Sequence, residues 1–359
     1  MNRPLIGSID TVDAPLVAFP CSVHSVRNKD RCGYQLNEGD QAAFMTGKVR
    51  LCLTLSEIWT MSDPRDLRRV VELARIAEDA GVAAVMMGEH VVMGPNSCKN
   101  GAPENPRDFS AAFNQPPSFP YPGLMPILGA VAATTSRIQI FAAAVLAALR
   151  PPLLIAKELA TVDLLSQGRL AVLPTVSWQA EEYQALGSDF HHRGKMLDEQ
   201  LEIWHRLWTK GSPVSYSGRF YRFSDIYAEP APYRTGGPEL WVGGRDLSPY
   251  IVGRIVRYAT GMFPLRPPGE EQMDELAHAM RAAGRDISEL RKMAELPIPK
   301  FTGADDLLDL DAAVANAPEM AAKGYTTLVV KPSMFIDDDA QFGDFCRDAV
   351  RKLDAAVAG

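Results

Sequence analysis

Glu89-His90 is the pair in this chain best suited to moving a proton: an imidazole titrates near neutrality, and a neighbouring carboxylate tunes it. Adjacent side chains on an extended backbone point to opposite sides, so both meet one substrate only if the chain bends there. The plainer alternative is that His90 merely hydrogen-bonds the loop that follows. Gly243-Gly244-Arg245 has another use, because glycine lets the main chain close on an anion and arginine ahead of a helix pairs with it. Gly-Gly is also an ordinary turn. Thr175-Val176-Ser177-Trp178 offers two hydroxyls and backbone N–H groups to a phosphate or sugar chain, with Trp178 stacking on a ligand or simply filling space. Ala143-Ala144-Val145 brings small side chains that let a flat ring approach the backbone, or a well-filled core. Cys21, His24 and Cys32 match no common zinc spacing, and no metal site is expected.

These stretches matter because of where the elements put them. Ile138 to Leu146 contains one polar side chain, Gln139, and is too short for a buried helix, so it reads as a strand buried on both faces. Arg150-Pro151-Pro152 breaks the chain. Apolar residues then recur at helical spacing from Leu153 to Leu164, with Gly168 past the end, and a second buried strand runs from Leu170 to Val176. Strand, helix, strand at this spacing is a parallel unit with a right-handed crossover. The pattern starts with a strand at Val49 to Leu55, a helix capped by Asp63-Pro64 and ending at Ala80, and a strand at Val82 to Met87. Residues 91–121 follow as a long loop rich in Pro, Asn and Gly, a candidate cover for a site.

Beyond Val176, helices are expected over Ala180–Leu186 and Gly194–Thr209, and residues 213–228 alternate around Ser217-Gly218 as an inserted β-hairpin. Later elements include a helix spanning Asp305 to Lys323. Strand and helix alternate about eight times without a linker, which points to one (β/α)₈ TIM barrel with insertions after strands 2 and 4. A doubly wound open sheet is weakened because no GxGxxG follows an early strand. In a barrel, the C-terminal strand ends hold the site, and that filter selects the stretches above.

A formal charge of −7 argues against a nucleic-acid binder, and no apolar run is long enough to span a membrane. Five scattered cysteines and the absence of an apolar signal core suit free thiols in the cytoplasm. Residues 1–48 show no sustained period and read as an N-terminal extension to a single domain over 49–359.

LLIAKELATVDLLSQGRL (153–170), SWQAEEYQALGSDFHHRGKMLDEQLEIWHRLW (177–208) and PELWVGG (238–244) resemble the luciferase-like monooxygenase superfamily. Within it they most resemble the deazaflavin (coenzyme F420)-dependent oxidoreductases. The resemblance implies that His90, with Glu89, lies over the deazaflavin ring. It implies a bulge with a non-proline cis peptide behind the ring, expected at Ala144-Val145, and phosphate binding at Gly243, Gly244 and Arg245. The stretch Thr175 to Trp178 departs from the glycine-rich pattern of many relatives. Some deazaflavin dehydrogenases carry a catalytic acid where Trp178 falls, which argues against a sugar-phosphate dehydrogenase. Arg150, Lys157, Glu181, Glu182, His191, His192, Asp198 and Glu199 recur in the family blocks, and ion pairing explains most of them; Arg193 is an outside candidate for the phosphate.

The implied activity is hydride transfer between coenzyme F420 and an apolar organic substrate. One alternative is a monooxygenase using reduced FMN and oxygen, and another is a barrel that binds a flavin without turnover. Phe109, Phe113, Phe119, Tyr121, Tyr216 and Tyr221 suit an apolar or ring-shaped ligand, or the packing of their own loops. A homodimer is the expected assembly.

Overall fold

The computed structural model describes residues 49–108 and 112–358, so the expected extension over 1–48 and the aromatic Phe109 lie outside the described residues. The chain begins with β1 (Arg50–Thr54), α1 (Leu67–Asp79), β2 (Ala84–Met87), α2 (Leu124–Thr134), β3 (Gln139–Leu146), α3 (Pro152–Leu165) and β4 (Leu170–Thr175). Next come α4 (Ala180–Ala185), α5 (Arg193–Lys210) and an antiparallel hairpin, β5 (Val214–Ser217) and β6 (Arg222–Ile226). The remainder is β7 (Glu239–Val242), α6 (Pro249–Tyr258), β8 (Gly261–Met262), α7 (Glu270–Ala282), β9 (Arg291–Glu295), α8 (Leu310–Val314), α9 (Ala317–Ala322), β10 (Thr327–Val330) and α10 (Phe342–Val357).

Eight parallel strands close in the order β1-β10-β9-β8-β7-β4-β3-β2, because β1 pairs with both β10 and β2. The open doubly wound sheet is thereby excluded: no edge strand remains in the barrel. Strand alternation sorts each strand's residues into two cores. Leu51, Leu53, Val85, Ile140 and Val172 turn outward against the helices. Cys52, Ala84, Phe141, Ala171, Trp241, Met293 and Val329 turn inward and fill the barrel. Small residues make room for large ones in this inner layer. At Gly261 even one added carbon would stand 2.5 Å from the Trp241 ring. Below them, Glu239 is fully buried and is gripped by Arg291, by Arg234 at 2.8 Å and by the Gln139 amide at 3.0 Å.

Three local expectations need correction. The cap of α1 is Asp66, not Asp63: its side chain accepts from the Arg69 amide at 3.0 Å, while Asp63 caps only the preceding turn through Arg65. The helix expected over 305–323 is two short helices, since Pro318 has no amide to donate back to Val314. The cis peptide lies at Ala143-Ala144, one bond earlier than expected. Ala143 pairs with Leu173 and Val145 with Pro174, so Ala144 is the bulged residue.

No helix among the described residues is long and apolar enough to cross a membrane. Filling the space beside Trp241 tests the inner packing. Gly261→Ala should lower stability by about 1–3 kcal/mol through overpacking, read as a drop in the urea midpoint at unchanged slope.

Candidate active site

β2 delivers its last residues to the mouth of the barrel. Gly88 sits so close to the bulge of β3 that an added Cβ would lie 2.9 Å from the Ala143 carbonyl oxygen, so a side chain is excluded there. Glu89 and His90 then diverge, as alternation requires. Glu89 turns toward β3, where it accepts from the Leu146 amide at 2.9 Å and takes both ends of the Arg150 guanidinium at 2.7 and 2.6 Å. A forked arginine–carboxylate pair of this kind is a fixed strut. Glu89 is therefore occupied in holding the loop after β3 and does not face His90.

The carboxylate that does meet His90 is Glu182, near the start of α4. Its Oε2 lies 3.1 Å from His90 Nδ1 and accepts the Ser177 hydroxyl at 2.7 Å, and its Oε1 accepts the Val91 amide at 2.7 Å. Glu182 is fully buried and His90 nearly so. A carboxylate accepting at both oxygens makes Nδ1 the donor, which assigns the tautomer and leaves Nε2 as the exchangeable nitrogen. Tyr121 and Trp178 stand edge-on to the imidazole, with ring centroids 5.2 and 5.4 Å away.

The loop after β2 is tied down at both ends of its span. Near its root, Gln179 accepts from the Gly94 amide, and Asn96 donates to Glu181 at 2.6 Å. Farther along, Asn105 donates to the Gly303 and Asp306 carbonyls at 2.9 and 3.0 Å, and Arg107 pairs with Asp337. Those partners follow β9 and β10, so the loop crosses the mouth from one side to the other. On its return, Tyr121 donates to Glu57 at 2.5 Å, and Lys331 approaches the other Glu57 oxygen at 3.8 Å. Burial first, then the charge of Glu57, pushes the Tyr121 phenol far above its ordinary range, so it remains a donor.

The expected site residues separate into two groups. His90, Trp178, Ala143 and Ala144 lie at the mouth, the two alanines half-buried above the inner core. Thr175, at the end of β4, is half-buried, and no described residue hydrogen-bonds its hydroxyl. Val145 is completely buried in the outer core, and Val176 packs outward, so neither offers its side chain to the mouth. Ser177 has its hydroxyl committed, donating to Glu182 at 2.7 Å and accepting from the Gln179 amide at 3.1 Å. Gly243 is required by packing, since an added carbon would meet the Phe263 carbonyl at 2.5 Å, whereas at Gly244 it would press on the end of the Ile251 side chain at 3.0 Å. Arg245 is exposed just ahead of α6, where Ser248 supplies no side-chain cap to the first amides. Arg193 lies over the Phe190 ring at 3.7 Å and donates to the Phe190 carbonyl at 2.6 Å, with its Nε buried and unpartnered.

Reading by residue type gave Glu182 only a structural part and passed over Glu57 and Lys331. Glu57 and Lys331 lie just beyond the carboxyl ends of β1 and β10, so the positional filter applied to every strand would have found them, whereas Glu182 stands farther on, in α4.

The sequence profile of the luciferase-like monooxygenases matches residues 50–299. The chain belongs to the luciferase-like monooxygenase family. Among its relatives, an uncharacterized protein of Mycobacterium tuberculosis is 33% identical over 177 residues, which cover 48% of this chain and 61% of that protein. The FMNH₂-dependent dimethylsulfone monooxygenase of Pseudomonas putida is 33% identical over 118 residues, 32% of either chain. Both matches therefore span less than two thirds of the relative's length. The coenzyme F420-dependent tetrahydromethanopterin reductase of Methanopyrus kandleri shares the luciferase-like fold, with a TM-score of 0.61 at 15% identity over 85% of this chain and 99% of that one.

Glu182→Ala would strand the Val91 amide, the Ser177 hydroxyl and His90 Nδ1 in a buried site. It should cost about 1–3 kcal/mol and speed amide hydrogen exchange at Val91 and Val92. Unchanged exchange there would show that the loop root does not depend on Glu182.

Proposed function

We propose that this luciferase-like barrel is an oxidoreductase that binds coenzyme F420 at its mouth and exchanges a hydride between it and an apolar organic substrate. The observation that carries the reading is His90, fixed through Nδ1 by a buried carboxylate and set beside the small-residue wall of Ala143 and Ala144. When bound, the deazaflavin supplies or accepts the hydride; the protein orients and tunes.

The residues present fit a flat ring with an anionic tail. Gly88 admits no side chain, and Ala143 and Ala144 are too short to obstruct a ring. Thr175 has a hydroxyl without a described partner. The uncapped amides of α6 and the exposed guanidinium of Arg245 suit a phosphate. His90 Nε2 then gives or takes the substrate's proton, while Glu182 keeps the imidazole in one tautomer and orientation. Tyr121 and Trp178 flank the imidazole and, with the crossing loop, keep water from the reacting atoms.

A second reading keeps the site and exchanges the cofactor for reduced FMN, with oxygen as co-substrate. The Pseudomonas putida relative, FMNH₂-dependent by name, favours it. Fluorescence titration of the purified protein with F420 and with FMN separates the two. F420 is expected to bind the more tightly, and tight FMN binding with no response to the deazaflavin would reverse the order. With the preferred cofactor, His90→Ala should slow turnover by about 10²-fold or more while leaving the cofactor dissociation constant nearly unchanged. Turnover at the wild-type rate would remove His90 from the mechanism.

A further inference from the structure

The end of β10 decides where Lys331 points. Val329 turns inward and Val330 outward, and the backbone at Lys331 is still extended, with φ −99° and ψ 109°. Alternation therefore carries the Lys331 side chain inward above Val329, to the mouth. Glu295 stands beside it, because it pairs with Val329 and shares the inward face of β9 with Met293. Glu295 is exposed, so the mouth opens to solvent on this side.

The Lys331 side chain is only 9% exposed, yet its ion-pair partner among the described residues, Glu57 Oε2, stands 3.8 Å away. A closed charge-assisted hydrogen bond spans about 2.7–2.9 Å, so the two charges face each other across a gap. The other Glu57 oxygen accepts from the Tyr121 hydroxyl at 2.5 Å. Glu57 itself has φ 60°, a left-handed conformation that a glutamate adopts only where its surroundings impose it. The carboxylate's place is thus built into the turn after β1. Asp108 and Glu295 also act on Lys331, but both are exposed and screened by water. The sheltered part of this wall therefore holds one positive and one negative group, each with hydrogen-bonding capacity to spare.

We propose that Glu57 and Lys331 recognise one neutral edge of the substrate, an N–H beside a carbonyl, as in a lactam or a primary carboxamide. The substrate N–H donates to Glu57 Oε2, and its carbonyl oxygen accepts from Lys331 Nζ. Both charges are then satisfied and none is added. An anion in the gap would meet Glu57 and a cation would meet Lys331, so an ionic group satisfies only one of the two. Tyr121, bound to Glu57, flanks the imidazole with ring centroids 5.2 Å apart, which places the pair one tyrosine away from His90. The assignment rests on the reading of His90 and the mouth given above, and it names the substrate class within that reading: an apolar body with one amide-type edge.

Two probes that differ in one donor test the pair without the natural substrate. 2-Quinolone carries an N–H beside its carbonyl on an aromatic body, and N-methyl-2-quinolone lacks the donor. Titrated by saturation-transfer NMR, wild-type protein should bind 2-quinolone about tenfold or more tightly than its methylated form. Lys331→Met should weaken 2-quinolone about tenfold, Lys331→Arg should retain most of the binding, and Glu57→Gln should narrow the preference between the probes. Equal binding of the two probes by the wild type, no binding of either, or 2-quinolone binding unchanged in both Lys331→Met and Glu57→Gln would overturn the pair. The wild-type comparison needs no variant to fold. Protein that shows the lactam preference but binds neither F420 nor FMN would instead overturn the cofactor reading.

Discussion

A carboxylate without solvent has to be surrounded by donors, and that requirement at Glu182 organises the mouth of the barrel. Its donors come from two separate pieces of chain: His90 and Val91 from the loop after β2, and Ser177 from the turn after β4. Satisfying one buried charge therefore fixes the imidazole's orientation and the root of the crossing loop together. Orientation of His90 and closure of the site become a single structural event. The neighbouring Glu89 performs the corresponding task one strand over, tying β2 to the loop after β3 through Arg150. Two successive residues of β2's end, Glu89 and His90, thus brace three strand ends.

The opposite end of the barrel uses buried charge differently. Burial alone would raise the Glu239 carboxyl, but Arg291 and Arg234 outweigh it and hold the group below its ordinary range. Gln139 donates to the same carboxylate and accepts from Arg50 at 2.7 Å, so β1, β3, β7 and β9 meet in one polar floor. Breaking such a plug exposes an uncompensated charge, which makes it a stiff base. Above it come the layer of Phe141 and Trp241, then the small residues of the mouth. Stability resides below and variability above, the division that lets this architecture carry many chemistries.

Much of the frame was legible because a parallel strand buried on two faces has a distinctive sequence. The run from Ile138 to Val176 announces strand, helix and strand by length, proline and glycine alone. Boundaries were missed where one backbone atom decides them. Pro318 divides a helix that periodicity reads as continuous, and Asp66 rather than Asp63 finds the free amide. The site was harder for a different reason. Adjacency in sequence pairs His90 with Glu89, yet alternation sends Glu89 to Arg150. The real partner stands 92 positions away, on the short helix after β4, a strand brought near by pairing through β3. The side chains of Val145 and Ser177 likewise turn to partners that composition does not reveal, Val145 into the outer core beside the bulge and Ser177 to Glu182.

The mouth has two unlike walls, and their contrast follows from where charge can be compensated. On the β2 and β4 side stand rings, Tyr121, His90 and Trp178. On the β1, β9 and β10 side stand Glu57, Glu295 and Lys331, with Glu295 facing inward by alternation with Met293. Desolvation lowers the nearly buried Lys331 ammonium, while Glu57 and Glu295 beside it favour the charged form. Such a wall is held together by mutual compensation, so a ligand that added or removed charge there would disturb every member. The aromatic wall carries no such constraint: it tolerates any apolar surface, and an enclosed low-dielectric space strengthens the hydrogen bonds of His90. The contrast between the two walls follows from where charge has a partner: on one side each ionised group compensates another, and on the other the rings compensate none.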